Sequence, residues 1–305
     1  MELRQLEYFV AVAEEASFTR AAERVHISQS GVSAQIRQLE LELGAPLLDR
    51  SGRRATVTPA GAAALEHARA ALASAELIRR AVDDVTGLIR GRLVLGMVTG
   101  CTISPLFDAL AAFNRAHPGV EIALLEDNSD ELVRGLRSGT ADVALIGACG
   151  VPPSDLESLV IISEPLVAAV PPTHPLADAH RVTLAEIVLH TVVCLPQGTG
   201  VRAVFDRACA QNEVEPEMTL EASAPDAIAD LAARGLGIAI LSESMAANYS
   251  DRLTAMTIDD ADTPAVLALV WKPALSPALA RLLDYLRDAF GRAPMPASPT
   301  ALAAG

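Results

Sequence analysis

The stretch AAERVHISQSGVSAQIRQLELELG, Ala21 to Gly44, constrains the fold more tightly than any other part of the chain. Ser28 is a natural N-cap, because its side-chain oxygen can accept an amide that the first helical turn leaves unpaired. Gly44 suits the left-handed residue that ends a helix. Between them Val32, Ile36, Leu39 and Leu43 recur at helical spacing, so they form one apolar face. Gln29, Ser33 and Arg37 stand four apart on another face, where hydrogen-bonding groups serve either water or a ligand.

The flanks extend the pattern. From Met1 to Glu15, Leu3, Leu6, Phe9, Val10 and Ala13 fall on one side of a helix. Ser17 can cap a second helix, FTRAAERVH, whose Ala21, Ala22 and Val25 permit close packing. After Gly44, APLLDRSGRRATVTPAG has two short apolar runs around Ser51-Gly52, a small hairpin with Arg50, Arg53 and Arg54 about its tip. Two helices across a short turn, followed by a basic hairpin, describe a winged helix-turn-helix over residues 1–58.

Charge placement agrees with that reading. The 305-residue chain carries a formal net charge of −14, which would repel phosphates. Residues 16–58, however, hold six arginines against four carboxylates, and the only lysine, Lys272, lies far away. Any contact with DNA is therefore expected in that stretch. The N-terminus carries Glu2, Glu7, Glu14 and Glu15 within its apolar pattern, so it resembles neither a signal peptide nor a membrane span. A cytoplasmic location is expected, with no membrane partner. Cys101, Cys149, Cys194 and Cys209 lack CxxC spacing and are expected to be reduced. The six histidines form no pair at ligand spacing, and neither metal nor cofactor is expected.

Pro59 opens an alanine-rich helical run to about Ile89, with Leu65, Leu72, Ile78 and Val82 spaced to lie against another helix. Residues 59–90 are expected to serve as linker and dimerisation helix. From Gly91 onward strand and helix signals alternate: GRLVLGMV, SPLFDALAAFNRAHPGV, EIALLE, SDELVRGLRSG, ADVALIGA. A second set runs from LVAAVPP through TLAEIVL, TVVCL, VRAVFDRACAQN, MTLEAS and PDAIADLAARG to GIAIL. VLALVWK and PALARLLDYLRDAF close the series. Such alternation predicts an α/β module of parallel sheet with helices on its faces over 91–292, followed by a loose proline-rich tail, 293–305.

These residues resemble the LysR-type transcriptional regulators over nearly the whole chain, to about Phe290. The resemblance is carried by LRQLEYFVAVAEEASFTRAAERVHISQSGVSAQIRQLELELGAPLLDR, RRATVTPAG, HPLA at His174 to Ala177, and ARGLGIAIL at Ala233 to Leu241. It implies a winged-helix domain, a linker helix and a two-lobe, periplasmic-binding-protein-like effector module. Lobe I would span about 91–162 and 266–292, and lobe II about 163–265. It also implies double-stranded DNA as partner, at a partial palindrome upstream of target genes, and a homodimer or homotetramer. Gln29, Ser30 and Ser33, with Ser28 beside them, fall where the family presents its recognition helix to the major groove and adjacent phosphates. Glutamine can bond adenine edges and serine hydroxyls can bond phosphate. Arg37, Arg50, Arg53 and Arg54 supply backbone contacts. Two departures bear on operator preference. Ser30-Gly31 replaces a Pro-Ala pair common in the family, and Ala34 stands where arginine is frequent.

In this fold class ligands bind between lobes, at loops after strand ends and at helix N-termini. Thr99, Gly100, Cys101 and Thr102 form the first such loop, Asn128 and Cys149 follow the next strands, and Thr199 with Arg202 comes from lobe II. Thr99 and Thr102 are also placed to cap the helix after Ile103. Hydroxyls, amides and one arginine predict a small polar or anionic effector. A rival reading within the family is thiol sensing, with Cys101 and Cys149 the pair best placed for the cleft. A solute-binding protein or enzyme could use the same two lobes. No GxSxG, glycine-rich phosphate loop or HExxH is present, and the DNA module would then lack a purpose, so no enzymatic activity is expected.

Overall fold

A computed structural model describes residues 1–50, 54–85, 91–101 and 103–292. The expected hairpin tip with Arg53, the loop residue Thr102, the end of the linker helix and the tail lie outside the described residues. The chain divides into two compact units, with the boundary in sequence after Leu88.

The N-terminal unit is built from α1 (Leu3–Glu15), α2 (Phe18–Arg24), α3 (Gln29–Leu43), β1 (Leu48–Asp49), β2 (Thr56–Val57) and α4 (Pro59–Val85). Local chemistry sets its boundaries. Ser17 accepts from Arg20 N at the start of α2, and Ser28 accepts from Gly31 N at the start of α3. Gly44 ends α3 at φ +73°, a conformation that costs a residue without Cβ nothing. Strands β1 and β2 pair antiparallel, Leu48 opposite Val57. Phe9, Val12, Ala21, Val32, Ile36 and Leu39 are fully buried and form the core of this unit. Leu43 departs from the expected apolar face and is 46% exposed, because the last turn of α3 overhangs that core. The early part of α4 is not a free pairing surface either. Leu65 and Leu72 pack against the helix-turn-helix core, whereas Ile78 is 68% exposed.

The second unit contains two sheets. Its elements in order are β3 (Gly91–Val98), α5 (Ser104–Ala116), β4 (Val120–Asp127), α6 (Ser129–Ser138), β5 (Val143–Cys149), β6 (Glu157–Glu164), β7 (Leu166–Val170), β8 (Arg181–Val182), α7 (Leu184–Ile187), β9 (Val192–Cys194), α8 (Gly200–Gln211), β10 (Met218–Glu221), α9 (Pro225–Ala233), β11 (Ile238–Ser242), α10 (Glu243–Ala247), β12 (Thr254–Ile258), β13 (Ala265–Trp271) and α11 (Pro277–Arg292).

The first sheet runs β4-β3-β5-β13-β6 and the second β10-β9-β11-β7-β12-β8. Alternation along β3 shows how each sheet buries both faces. Leu93, Leu95 and Met97 pack with α5 and α11, while Val94 and Val98 face the cluster around α6.

Both sheets are mixed, which corrects the expectation of parallel sheet. In the first, β3 is parallel to β4 and β5, but β13 is antiparallel to β5 and β6. In the second, β11 and β12 are both antiparallel to β7. The cause is connectivity. The chain leaves the first lobe directly between β6 and β7 and returns between β12 and β13, so no helical crossover sets the direction of those strands.

The lobes touch where α8 crosses β5. A Cβ on Gly200 would lie 2.5 Å from Gly147 C, so only glycine allows this approach of backbones. Ser129 N donates to Gly198 O at 2.9 Å, and Ser129 Oγ accepts from Gly147 N at 3.0 Å, which fixes the contact laterally.

Candidate functional site

The exposed side of α3 and the hairpin base form the first region of interest. Ser28, Gln29, Ser30, Arg37 and Arg54 are all exposed there. Ser28 also caps the helix, its Oγ accepting from Gly31 N and lying 3.1 Å from Ser30 Oγ. Ser33 is a correction. It is 7% exposed, and its hydroxyl accepts from Arg37 Nη2 at 3.0 Å and from Arg50 Nη1 at 3.1 Å. Its position beside Val32 and Ile36 turns it partly into the core, so it positions arginines instead of meeting a groove.

Arg50 is also exposed, but it is engaged by its own unit. Its Nη2 donates to Glu40 Oε2 at 2.8 Å, and its guanidinium lies 4.9 Å from the Phe18 ring centroid. Glu40 Oε1 meanwhile accepts from Leu47 N and Leu48 N, tying α3 to the hairpin. Arg50 therefore braces the wing. Arg37 and Arg54 are exposed guanidinium groups with no carboxylate partner among the described residues.

The second region is a cleft of about 290 Å³ in the two-lobe unit. Thr99, Gly100 and Cys101 line it after β3, Asn128 before α6, and Thr199 before α8. These five expected residues are brought together by loops that follow strand ends. Thr99 does not cap α5, whose N-cap is Ile103 without a side-chain bond. Asn128 Oδ1 accepts from Glu131 N and caps α6. Thr199 Oγ1 donates to Pro196 O, which leaves α8 without a side-chain cap.

Two expected residues are not in the lining. Cys149 packs instead against the core of the second lobe. Arg202 lies in the first turn of α8 with its side chain 8% exposed. Its Nε donates to Asp206 Oδ1 at 2.7 Å and its Nη1 to Glu221 Oε1 at 2.5 Å. This arginine joins α8 to β10, and the cleft loses the cation that sequence reasoning gave it. The charged groups that do line it among the described residues are Asp127 and Glu164, and neither was anticipated. Glu164 accepts from Ser244 Oγ at 2.6 Å and Ser244 N at 3.2 Å. Ser242 and Ser244 also line the cleft, immediately after the strand GIAIL. The rule that selected Asn128 and Thr199, polar residues just past strand ends, would have found Asp127, Ser242 and Ser244, whereas Glu164 closes a strand, β6, that the sequence reading did not anticipate.

Thiol chemistry finds little help here. Burial pushes the Cys101 thiol up to about 11, Cys194 up to about 12 and Cys209 up to about 11, so each stays protonated at neutral pH.

A helix-turn-helix with a basic hairpin, carried with a two-lobe module that encloses a cleft, defines a DNA-binding regulator with an effector-binding domain. Comparison with known proteins gives the family. Residues 3–62 match the bacterial regulatory helix-turn-helix of the lysR family, and residues 86–291 match the LysR substrate binding domain. The chain belongs to the LysR family of transcriptional regulators, which are not enzymes. It is 34% identical over 296 residues to an uncharacterized HTH-type transcriptional regulator, YnfL, of Escherichia coli (strain K12), covering 94% of this chain and 99% of that one. Among solved structures it resembles a full-length OxyR variant from Pseudomonas aeruginosa, with a TM-score of 0.66, 25% identity and coverage of 96% and 99%. It also resembles CbnR, a LysR family transcriptional regulator, with a TM-score of 0.62, 27% identity and coverage of 95% and 99%. No helix among the described residues is long and apolar enough to cross a membrane.

Proposed function

We propose that this regulator binds a partially palindromic operator in the cytoplasm and changes its grip on DNA when a small polar molecule enters the cleft between its lobes. The carrying observation is the cleft itself, where loops from both lobes converge with polar groups. Residues 1–58 act as the DNA module and 59–90 as the pairing helix. Residues 91–292 act as the effector module. Closure on a ligand alters how subunits pack, and the coupling equals the ligand's differential affinity for the two arrangements. Thr99, Asn128 and Thr199 face the ligand. The exposed Ile78 of α4 faces a second copy, which places two recognition helices on successive half-sites.

Footprinting of the full chain on the promoter beside its own gene tests the DNA reading. Gln29→Ala should relax base preference at one position, by about 1–3 kcal/mol of discrimination. Arg54→Ala should weaken every duplex and lower the salt slope by about one. Ser33→Ala should lower affinity without changing preference, because it acts through Arg37 and Arg50. Absence of duplex binding at low salt ends the proposal. For the pairing helix, Ile78→Glu should shift light scattering toward monomer; a wild-type chain already monomeric at micromolar concentration rejects it.

A further inference from the structure

The cleft has a charge pattern that goes beyond its being a ligand site. Its lining contains no arginine, lysine or histidine among the described residues, and its two formal charges, Asp127 and Glu164, are both negative. Neither forms an ion pair with another described residue. They also stand far apart. Asp127 ends β4 and Glu164 ends β6, the two edges of the first sheet, in the order β4-β3-β5-β13-β6. Four strand spacings separate them, roughly 19 Å between backbones. Side chains reaching inward leave roughly 10–15 Å between carboxylates.

The surface between those ends is largely apolar. Val98, Ile162, Val266 and Leu267 lie along it from the first lobe, with Leu195 and Met245 opposite from the second. Each end adds neutral oxygen acceptors. Thr99 and Asn128 stand with Asp127, and Ser242 stands with Glu164 and Ser244. Ser242 is the telling one. It is 4% exposed, lines the cleft, and its hydroxyl has no hydrogen bond to any described residue. A buried hydroxyl is rarely left so unless something else bonds it.

One feature pulls the other way. The start of α8, without a side-chain cap, lines the cleft at Thr199 and Gly200, and a helix N-terminus carries about half a positive charge. Two full carboxylates outweigh it. Helices α6 and α9 also start at the cleft, and Asp130 and Glu131 in the first turn of α6 and Asp226 in that of α9 offset their dipoles.

From this pattern we propose that the effector is a linear aliphatic diamine or polyamine. One ammonium group meets Asp127 and Thr99, the other meets Glu164 and Ser242, and the methylene chain lies on the apolar floor. The inference rests on the cleft being the effector site, as proposed above, and names the ligand class for it. A dianion of the same length would put its charges against both carboxylates.

Isothermal titration of the full chain with 1,8-diaminooctane, octanedioate and octane-1,8-diol separates charge from shape. The diamine should bind at least tenfold more tightly than the diol, and octanedioate should not bind. Asp127→Asn and Glu164→Gln should each weaken the diamine tenfold or more while leaving the diol unchanged; glutamine keeps an acceptor for Ser244. Octanedioate binding more tightly than the diamine overturns the inference. So does failure of the diamine to bind, or a diamine affinity unchanged in both variants, which marks adhesion to an acidic surface. Thr99→Trp distinguishes the two levels. If the diol or octanedioate binds and is displaced by that tryptophan, the cleft remains the site and only the ligand class falls. If every probe that binds ignores it, both readings fall.

Discussion

Arg50 in the DNA-binding module and Arg202 in the effector module have the same kind of surroundings and opposite consequences. Each guanidinium is bound by groups of its own unit, Arg50 by Ser33, Glu40 and Phe18, Arg202 by Asp206 and Glu221. Beside Arg50 the exposed Arg37 and Arg54 remain without a carboxylate partner among the described residues, so that region keeps positive charge. Around the cleft no second cation remains among the described residues, and the net sign becomes negative. A site's sign is therefore set by the charges left after the fold has satisfied its own. Composition cannot make that distinction, because a bracing arginine and a binding arginine are the same letter.

The strongest test of the two regions as separate machines uses a glycine in each. A Cβ on Gly61 would lie 2.0 Å from Leu47 O, where α4 meets the hairpin, and one on Gly200 2.5 Å from Gly147 C. Alanine improves helix propensity by about 1 kcal/mol, so any loss of stability is steric. Gly61→Ala should cost about 2–3 kcal/mol and lower duplex affinity while sparing cleft ligands. Gly200→Ala should cost a similar amount, push the lobes apart and weaken any cleft ligand at least tenfold, with duplex affinity retained. Calorimetry with paired DNA and ligand titrations reads both. Equal loss of both activities in either variant would break the separation.

The two arginines give a smaller contrast. Arg202→Met should destabilise the chain by about 2 kcal/mol, less than the loss of a fully buried pair because Asp206 and Glu221 are nearly half exposed. Arg50→Met should cost about 1 kcal/mol, since its own side chain is 30% exposed. Urea titration checks both. If Arg202→Met left stability untouched and abolished ligand binding, the arginine would belong to the site after all.

How much the sequence reveals follows from how local the cause is. The caps Ser17 and Ser28 and the stop at Gly44 act within one turn, so the helices of the first module are legible from letters alone. Strands β6 and β12 are not. Half of ESLVIISE is exposed and its apolar run is only Leu159 to Ile162, while β12 is the short TAMTI, so both signals are weak. Their antiparallel pairing depends on two crossings between lobes, and crossings leave no local mark. The cleft follows the same rule. Thr99, Asn128 and Thr199 announce themselves as polar residues after strands, whereas Ser33 and Arg202 share helical faces with exposed polar neighbours. Only tertiary packing decides that they turn inward.

The smallest expected effect concerns Cys101, which sits in the cleft yet is shielded enough to raise its thiol to about 11. The thiolate is the nucleophile, and its fraction falls tenfold for each unit between pH and pKa. At pH 7.5 Cys101 should be about 300-fold less ionised than an ordinary thiol near 8.5. Its alkylation by iodoacetamide, followed by mass spectrometry, should keep rising tenfold per unit through pH 10 instead of levelling near 9. Peroxide should then leave operator affinity unchanged, with Cys101→Ser and Cys149→Ser indistinguishable from the parent. Alkylation that levels below pH 8, together with a peroxide response lost in Cys101→Ser, would establish a thiol switch in the cleft and displace the small-molecule effector. Because desolvation disfavours the thiolate, a cleft that closes more tightly on its ligand should suppress the alkylation further, so the thiol also reports on ligand occupancy.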